Sequence, residues 1–260
     1  MKKYIKLLNM FFKQSTEELL IYRSTAVITL IFSFMFFAVE IIFGFIVYSY
    51  SSELAGLNFN QYMNLIFTAT LITNIYQFFF TVGHENLSDY IVEGELDYIL
   101  IRPVNSYFYY AFNRQDIPSL INILVTTLAL IYNNRLNTDI NFSVIVFYII
   151  CILLSVWTLF LVNQIVVCVA FWKEKVNKLL GMPEYFYDAS SRPLGVYPGF
   201  IRFILSYIIP FGIITNDSSL ILTERFPLVH LIYIILWNII ITIISVIIWK
   251  KGLKHYASAN

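Results

Sequence analysis

The amino-acid sequence predicts an all-α integral membrane protein with six transmembrane helices. Three observations support this fold class: 59% of the 260 residues are hydrophobic, only 13% are charged, and the apolar residues gather in long runs. Soluble domains carry about 25% charged residues, and a helical span needs about 20 mostly apolar residues. The net charge of +1 argues against a nucleic-acid partner, because phosphate neutralisation needs a basic surface.

Residues 1–23 are predicted to form an amphipathic helix that lies in the membrane interface. The polar face carries Lys2, Lys6, Asn9 and Lys13, and the apolar face carries Tyr4, Ile5, Leu8, Phe11 and Phe12. A basic face opposite an aromatic and aliphatic face is typical of interfacial helices. The alternative is an ordinary cytoplasmic amphipathic helix packed on the rest of the protein.

Residues 24–260 are predicted to form the six-span transmembrane domain. The apolar runs are 24–50, 62–82, 117–132, 142–172, 203–215 and 228–249. The fifth run is the weakest because it is short and contains Pro210, so we expect a kinked or partly re-entrant crossing there.

Loop charges predict the orientation of these spans. With a cytoplasmic N-terminus, the segments expected inside hold fifteen of the 17 Lys and Arg residues, and only Arg135 and Arg225 lie outside. Lys and Arg favour the cytoplasmic side of a membrane. We therefore expect both termini in the cytoplasm, together with the two longer soluble segments, a first loop at 83–116 and a second at 173–202.

The segment 92–105, VEGELDYILIRPVN, is charged and turn-prone and lies within the first cytoplasmic loop. Gly94 and Pro103 delimit a short helix. Its apolar residues recur at helical spacing, and its acids leave a charged surface. The apolar set is Leu96, Ile99 and Leu100, and the acidic set is Glu93, Glu95 and Asp97. Such a short, rigid element suits a membrane subunit that receives force from a soluble partner.

This segment carries a resemblance to a known family. Gly94, Leu96, Asp97, Leu100, Arg102 and Pro103 are similar to the G-x-L-D-x-x-L-x-R-P signature of the type-2 ABC exporter permeases. They most resemble the branch whose permeases lack a fused ATPase. The stretches YPGFIRFILSYIIPFGIIT at 197–215 and GLKHYASAN at 252–260 are similar to further parts of the family, although Ala257 replaces the usual first serine of its ending.

The resemblance implies a permease of the bacterial plasma membrane that forms half of an export pathway for a hydrophobic or amphipathic drug, lipid or peptide. It implies a coupling helix between spans two and three, a second permease subunit that is the same or a homologous chain, and two separate ATPase subunits. The expected ATPase contacts are Glu93, Gly94, Glu95, Leu96, Asp97, Leu100, Arg102 and Pro103. ATP and Mg are expected on the partner, since this sequence has no G-x-x-x-x-G-K-[ST] phosphate loop. We expect no cofactor, metal ion or catalytic residue on this chain.

Polar residues inside the predicted spans are candidates for the translocation pathway. The candidates are Glu40, Asn74, Gln77, Asn163 and Asn238. Glu40 is the only acid deep within a predicted span, and such a group suggests a functional site. It would attract a cationic substrate, pair across the subunit interface, or simply bond to a neighbouring span. The amides either line the pathway or hydrogen-bond between helices, which is their usual role.

An ATP-independent secondary transporter or channel is the alternative function. Such proteins show buried charges, inverted repeats or paired broken helices. Here Glu40 is the single deeply placed acid, and no internal repeat is visible. A membrane enzyme or assembly scaffold would need a catalytic constellation or a sizeable soluble domain, and the sequence shows neither.

Overall fold

The computed structural model describes residues 2–137, 140–173, 179, 181–223 and 228–259. Within these residues the chain is almost entirely helical and contains no β-strand, which confirms the predicted all-α class. Four helices are long and apolar enough to cross a membrane, and the count reaches five when one bent helix pair is taken as a span.

Twelve α-helices occur in the described residues. They are α1 (Lys2–Ile21), α2 (Arg23–Tyr50), α3 (Phe59–Tyr76), α4 (Val82–Val92), α5 (Leu96–Leu100), α6 (Ser106–Phe112), α7 (Pro118–Asn133), α8 (Phe142–Val167), α9 (Met182–Ser190), α10 (Gly199–Phe203), α11 (Ser218–Leu220) and α12 (Leu228–Ala259). A π-helical turn, Gln77–Thr81, joins α3 to α4, and a 3-10 turn, Cys168–Phe171, extends α8.

Helices α1 and α2 adjoin at Tyr22, whose backbone leaves the helical conformation with φ −102° and ψ 36°. The backbone hydrogen bonds nearly continue through it, since Tyr22 N donates to the Glu18 carbonyl over 3.0 Å. Helix α1 is held against the protein by Phe11, whose ring meets that of Tyr109 edge to face with centroids 5.0 Å apart. Ile5 remains 56% exposed. One part of the apolar face therefore packs on protein, as in the alternative interpretation, and a membrane-interface position remains a prediction for the rest.

Helix α3 lies at the centre of the bundle, between α7 and α8. Its start is fixed by reciprocal hydrogen bonds of 3.0 Å between Asn58 and Gln61, each side chain accepting from the other's backbone N–H; this is a capping box. Asn64 Nδ2 then donates to Asn134 Oδ1 over 3.0 Å. These bonds set the register of α3 against the end of α7.

Residues 181–196 take a course that the sequence did not predict. Gly181 lies in a cavity beside Val167, near the end of α8. Further along, the Tyr187 hydroxyl donates to the Ala69 carbonyl, midway along α3, over 2.8 Å. Gly195 then lies against Ala55, in the connection between α2 and α3. The sequence placed all of 173–202 in one loop at the α8 end, but these residues run along α3 to the opposite end.

The predicted fifth run, 203–215, spans the bend between two short helical arms, and we call the whole segment 199–220 the bent hairpin. Its two arms, Gly199–Ile208 and Ile213–Leu220, meet at 78°. Ile209 leaves the helical conformation at the bend, with φ −117° and ψ 94°, and Pro210 follows it without a backbone N–H. The run is therefore sharply kinked near Pro210, as the sequence predicted.

Gly83 lies on α4 close to the backbone of α6. A Cβ built there would lie 2.9 Å from the Tyr110 backbone oxygen, which cannot rotate away as a side chain does. We expect Gly83→Ala to destabilise the purified protein by about 1–3 kcal/mol, the usual cost of overpacking, and to lower its thermal unfolding temperature. Gly199→Ala is the matched control because nothing lies within 4 Å of that Cβ position. Equal shifts in the two variants would contradict this explanation.

Candidate coupling surface and membrane-embedded polar residues

The short helix α5 lies between α4 and α6, and its apolar face is buried against the rest of the protein. Gly94 has φ +76°, a conformation that glycine adopts without steric cost, and it turns the chain after α4. Leu96 is then 0% exposed and Ile99 6% exposed, because the helical spacing puts both side chains on the inner face. Leu100 is partly buried beside them.

The buried face of α5 belongs to a continuous apolar core, which we call the coupling cluster. It consists of Phe11, Leu87, Leu96, Ile99, Tyr109, Tyr110, Val167, Cys168, Phe171, Trp249 and Tyr256. These residues come from α1, α4, α5, α6, α12 and the end of α8. The cluster therefore packs α5 against α1, α4 and α6 and against the ends of α8 and α12.

Aromatic rings form the base of this cluster. The rings of Tyr110 and Trp249 stack with centroids 5.0 Å apart, and Tyr107 meets Trp249 edge to face at 5.6 Å. Burial raises the pKa of Tyr107 to about 12, so its hydroxyl, which is 2.8 Å from Ser245 Oγ, is neutral at physiological pH. The base is therefore uncharged and well packed.

The outer face of α5 and the residues that flank it combine acids with exposed apolar side chains, and we call this region the coupling surface. It consists of Val92, Glu93, Glu95, Asp97, Tyr98 and Ile101, all of which are exposed. Among the described residues, no hydrogen bond or ion pair involves the Asp97 carboxylate. Exposed apolar groups beside charges are typical of a contact site.

Contacts of Arg102 and Pro103 hold the coupling surface to the neighbouring helices. Arg102 Nε donates to the Tyr98 carbonyl over 3.2 Å, and its guanidinium lies 4.8 Å from the centre of the Tyr109 ring. The Pro103 carbonyl accepts a hydrogen bond from Lys3 Nζ on α1. Both residues are exposed, but their contacts hold α5 to α1 and α6.

Comparison with known proteins identifies the family of this chain. A family model described as ABC-2 family transporter protein matches residues 34–260. This chain belongs to the ABC-2 transporter family. No curated protein and no solved structure matched it. The chain is therefore a multi-pass permease, a transport subunit that is not itself catalytic, from a family that normally acts with ATPase subunits.

Glu40 of the permease forms an ion pair within the chain. Arg192 Nη2 donates to Glu40 Oε1 over 2.7 Å, and Nη1 donates to Oε2. This bidentate geometry is the strongest form of an arginine–carboxylate pair. The Arg192 guanidinium also lies 5.7 Å from the centre of the Phe43 ring. Because Arg192 occupies both carboxylate oxygens, the geometry favours a structural role over attraction of a cationic substrate.

The four candidate amides lie in separate surroundings and do not converge on one site. Asn74 donates to Thr126 on α7 over 3.1 Å, and Asn238 accepts from Thr158 on α8 over 3.1 Å. Both are bonds between helices. Asn163 donates to the Leu159 carbonyl of its own helix over 3.1 Å, and Gln77 is half-buried in the π-helical turn.

A buried polar network around His84 was not predicted. The Tyr76 hydroxyl lies 2.7 Å from His84 Nδ1, and Gln164 Oε1 lies 2.9 Å from His84 Nε2. With Tyr76 donating and Gln164 accepting, these two bonds satisfy a neutral imidazole. Nothing in the local sequence pairs residues that are 80 positions apart, so the network had no sequence signal.

Proposed function

We propose that the permease is the membrane subunit of an ATP-driven exporter, coupled to two separate ATPase subunits through the coupling surface. The observation that carries the proposal is the contrast between the two faces of α5. Its inner face is buried in the coupling cluster, whereas Asp97 on its outer face makes no hydrogen bond or ion pair within the described residues. An exposed and unpaired acid in a braced helix suits contact with a basic site on a partner.

The coupling surface would transmit force by rigid-body motion. ATP binding closes the ATPase pair and displaces α5, and the coupling cluster carries that displacement to α4, α8 and α12. Two packed arrangements of the same helices are the usual basis of such switching. Two permease subunits, of the same or homologous chains, enclose the pathway between them.

We also infer that the chain crosses the membrane six times. The fifth crossing is residues 181–196 and not the predicted run 203–215. The six crossings are α2, α3 with α4, α7, α8, residues 181–196 and α12, and the hairpin at 199–220 enters from the outer side. This arrangement moves Arg192 and Arg202 away from the cytoplasm. Thirteen of the 17 Lys and Arg residues still remain inside, so the charge bias supports cytoplasmic termini.

Cysteine labelling in cells tests this topology. Val196 and Tyr98 are 48% and 68% exposed and lie at opposite ends of the bundle. We expect Val196→Cys to react with a membrane-impermeant maleimide in intact cells, and Tyr98→Cys to react only after permeabilisation. The native thiols Cys151 and Cys168 are buried, so the unmodified chain serves as the low-background control. Reaction of Val196→Cys only after permeabilisation would contradict this topology and support the single cytoplasmic loop at 173–202 that the sequence predicted.

An apolar or amphipathic substrate fits the interior of the permease. A cavity of about 560 Å³ opens between α3, α7 and α8, and residues such as Leu71, Ile123 and Ile152 make its lining almost wholly apolar. The polar candidates Glu40, Asn74 and Asn238 are engaged in bonds within the chain. This arrangement supports a drug, lipid or peptide with extensive apolar surface.

The bent hairpin favours the alternative, an ATP-independent transporter or channel, since broken helices often bind ions or substrates. Transporters of that type usually place two broken helices together. The described residues contain only one broken helix, which consists of the two arms of the bent hairpin.

Purification from native membranes in mild detergent, followed by mass spectrometry, tests the proposed function. We expect recovery of a soluble subunit that carries a phosphate-binding loop, together with ATP hydrolysis by the isolated complex. Recovery of this chain alone, intact and oligomeric, would instead support the autonomous transporter.

A further inference from the structure

Helices α3, α4, α8 and α9 surround a cavity that the coupling surface does not use. This acidic cavity, as we call it, has a volume of about 180 Å³. It borders the coupling cluster, because Val167 belongs to both. The other lining residues are Tyr76, Thr81, His84, Glu85, Asn163, Gly181 and Glu184.

Two carboxylates of like charge line the acidic cavity. Glu85 on α4 and Glu184 on α9 lie within electrostatic range of each other, and Glu85 also lies within range of Asp116. Both glutamates are exposed, and neither carboxylate forms a hydrogen bond or ion pair with another described residue. Each carboxylate is therefore free to accept from a ligand.

The rest of the described lining does not offset these two charges. It contains no Lys or Arg, and the bonds of His84 to Tyr76 and Gln164 fit a neutral imidazole. Helix α9 begins at the cavity, but the start of a helix supplies only about half a positive charge, against two carboxylates. The acidic cavity therefore favours a cation.

Asn163 supplies a third acceptor, on the inner wall of the cavity. The residue is 4% exposed, and its Nδ2 donates to the Leu159 carbonyl of the same helix over 3.1 Å. Its Oδ1 has no hydrogen-bond partner among the described residues. This oxygen is not one of the enclosed unpaired atoms, so it is open to the cavity that Asn163 lines. A buried acceptor without a donor is unfavourable, and this one therefore indicates a ligand that donates.

Exposed aromatic side chains lie beside the acidic cavity. Tyr185 and Phe186 directly follow Glu184 on α9 and are 76% and 40% exposed. Aromatic rings attract cations and also cover apolar groups. The surroundings therefore suit a ligand with a charged head and an apolar body.

We propose that the acidic cavity binds the protonated amine of an amphipathic substrate. A primary ammonium group has three N–H donors, which match the carboxylates of Glu85 and Glu184 and the Oδ1 of Asn163. A divalent metal suits the cavity less well, because Mg²⁺ and Ca²⁺ take about six or more ligands. Among the described residues, no group of three or more His, Cys, Asp or Glu side chains could hold a metal ion. The inference rests on the proposed function and deepens it, since it adds a positive charge to the exported substrate.

The test uses the full-length permease, without the ATPase, in nanodiscs of phosphatidylcholine. Monodansylcadaverine carries a primary ammonium group, and its N-acetyl derivative is a neutral amide with the same fluorophore and chain. We expect the amine to bind at least tenfold more tightly, which corresponds to about 1.4 kcal/mol. Binding to empty nanodiscs is subtracted for each probe. Equal affinities, or no binding of either probe, would overturn the proposal.

Variants assign the charge preference to the acidic cavity. Glu85→Gln, Glu184→Gln and Asn163→Leu should each lower the affinity for the amine about threefold or more, roughly half of the tenfold preference in free energy. The double glutamine variant should bind both probes alike, and it should keep its unfolding temperature because neither carboxylate has a described partner. Asp89→Asn is the matched control, since Asp89 is an exposed acid one turn further along α4 that does not line the cavity. Full amine affinity in the double variant, or an equal loss in Asp89→Asn, would contradict the assigned site.

Competition with magnesium chloride at constant ionic strength separates an amine site from a metal site. We expect the labelled amine to stay bound at millimolar Mg²⁺. Complete displacement would assign the cavity to a divalent metal ion and overturn the proposal.

The outcome of the mild-detergent purification keeps this inference separate from the proposed function. A preference for the amine, together with recovery of this chain alone, would support the binding site and place it in an autonomous transporter. Recovery of the ATPase, together with equal binding of the two probes, would overturn the cationic substrate and leave ATP coupling intact.

Discussion

Replacing Asp97 with lysine is expected to uncouple the permease from its ATPase subunits. The side chain is exposed and no described residue pairs with it, so reversing its charge breaks no hydrogen bond or ion pair in the folded permease. A basic partner site, in contrast, would lose an attraction and gain a repulsion. Removing one partner of a desolvated charge pair at an interface costs about 2–5 kcal/mol, which is roughly thirtyfold or more in affinity. The measurements are co-purification of the ATPase and substrate-stimulated ATP hydrolysis in the reconstituted complex.

Glu17→Lys is the matched control for Asp97→Lys. Glu17 is another exposed acid at the same end of the bundle, and its pair with Lys13 spans 3.8 Å at the surface. Such pairs contribute about 0–1 kcal/mol, so this variant should bind the ATPase normally. The thermal unfolding temperature of the Asp97→Lys permease should match that of the unmodified chain. Normal assembly and normal stimulated hydrolysis in Asp97→Lys would rule out contact through this acid.

The coupling segment was predictable because its signals are local. Gly94 requires a positive φ, Pro103 ends the helix, and the spacing of Leu96 and Ile99 decides which face is buried. All of these features lie within the segment 92–105, so no long-range pairing had to be known. The apolar runs of α2, α8 and α12 were equally visible, because lipid-exposed helices are apolar around most of their circumference.

The path of residues 181–196 was not predictable, because the contacts that determine it join residues that are far apart in the sequence. Helix α9 contains Glu184, Asp188 and Ser190, so hydropathy placed it in a loop. Packing contacts with α3 and α8 determine its course, and a single sequence does not record them. The Glu40–Arg192 pair joins residues 152 positions apart, and the sequence analysis therefore left Glu40 without a partner.

Breaking the Glu40–Arg192 pair is expected to destabilise the permease more than breaking an exposed surface ion pair. Glu40→Gln or Arg192→Gln leaves one charge unpaired between α2 and the segment after α9. Breaking a fully buried pair costs about 3–5 kcal/mol. We expect about 1–3 kcal/mol here, because 32% of the Glu40 and 37% of the Arg192 side chain is exposed. The thermal unfolding temperature of the purified permease measures the loss, and Lys13→Gln, which breaks a surface pair on α1, is the control.

The double variant Glu40→Gln with Arg192→Gln separates a structural pair from a cation-binding site. If the pair serves only to hold α2 to the segment after α9, removing both charges leaves two neutral groups that can still hydrogen-bond, and stability should largely return. Transport should return with it, for neutral and cationic substrates alike. If Glu40 instead recruits cations, the double variant should be stable yet lose export of cationic substrates, while Glu40→Asp should retain it. Measuring the unfolding temperature and the uptake of both substrate types into inverted vesicles therefore decides between the two roles that the sequence left open.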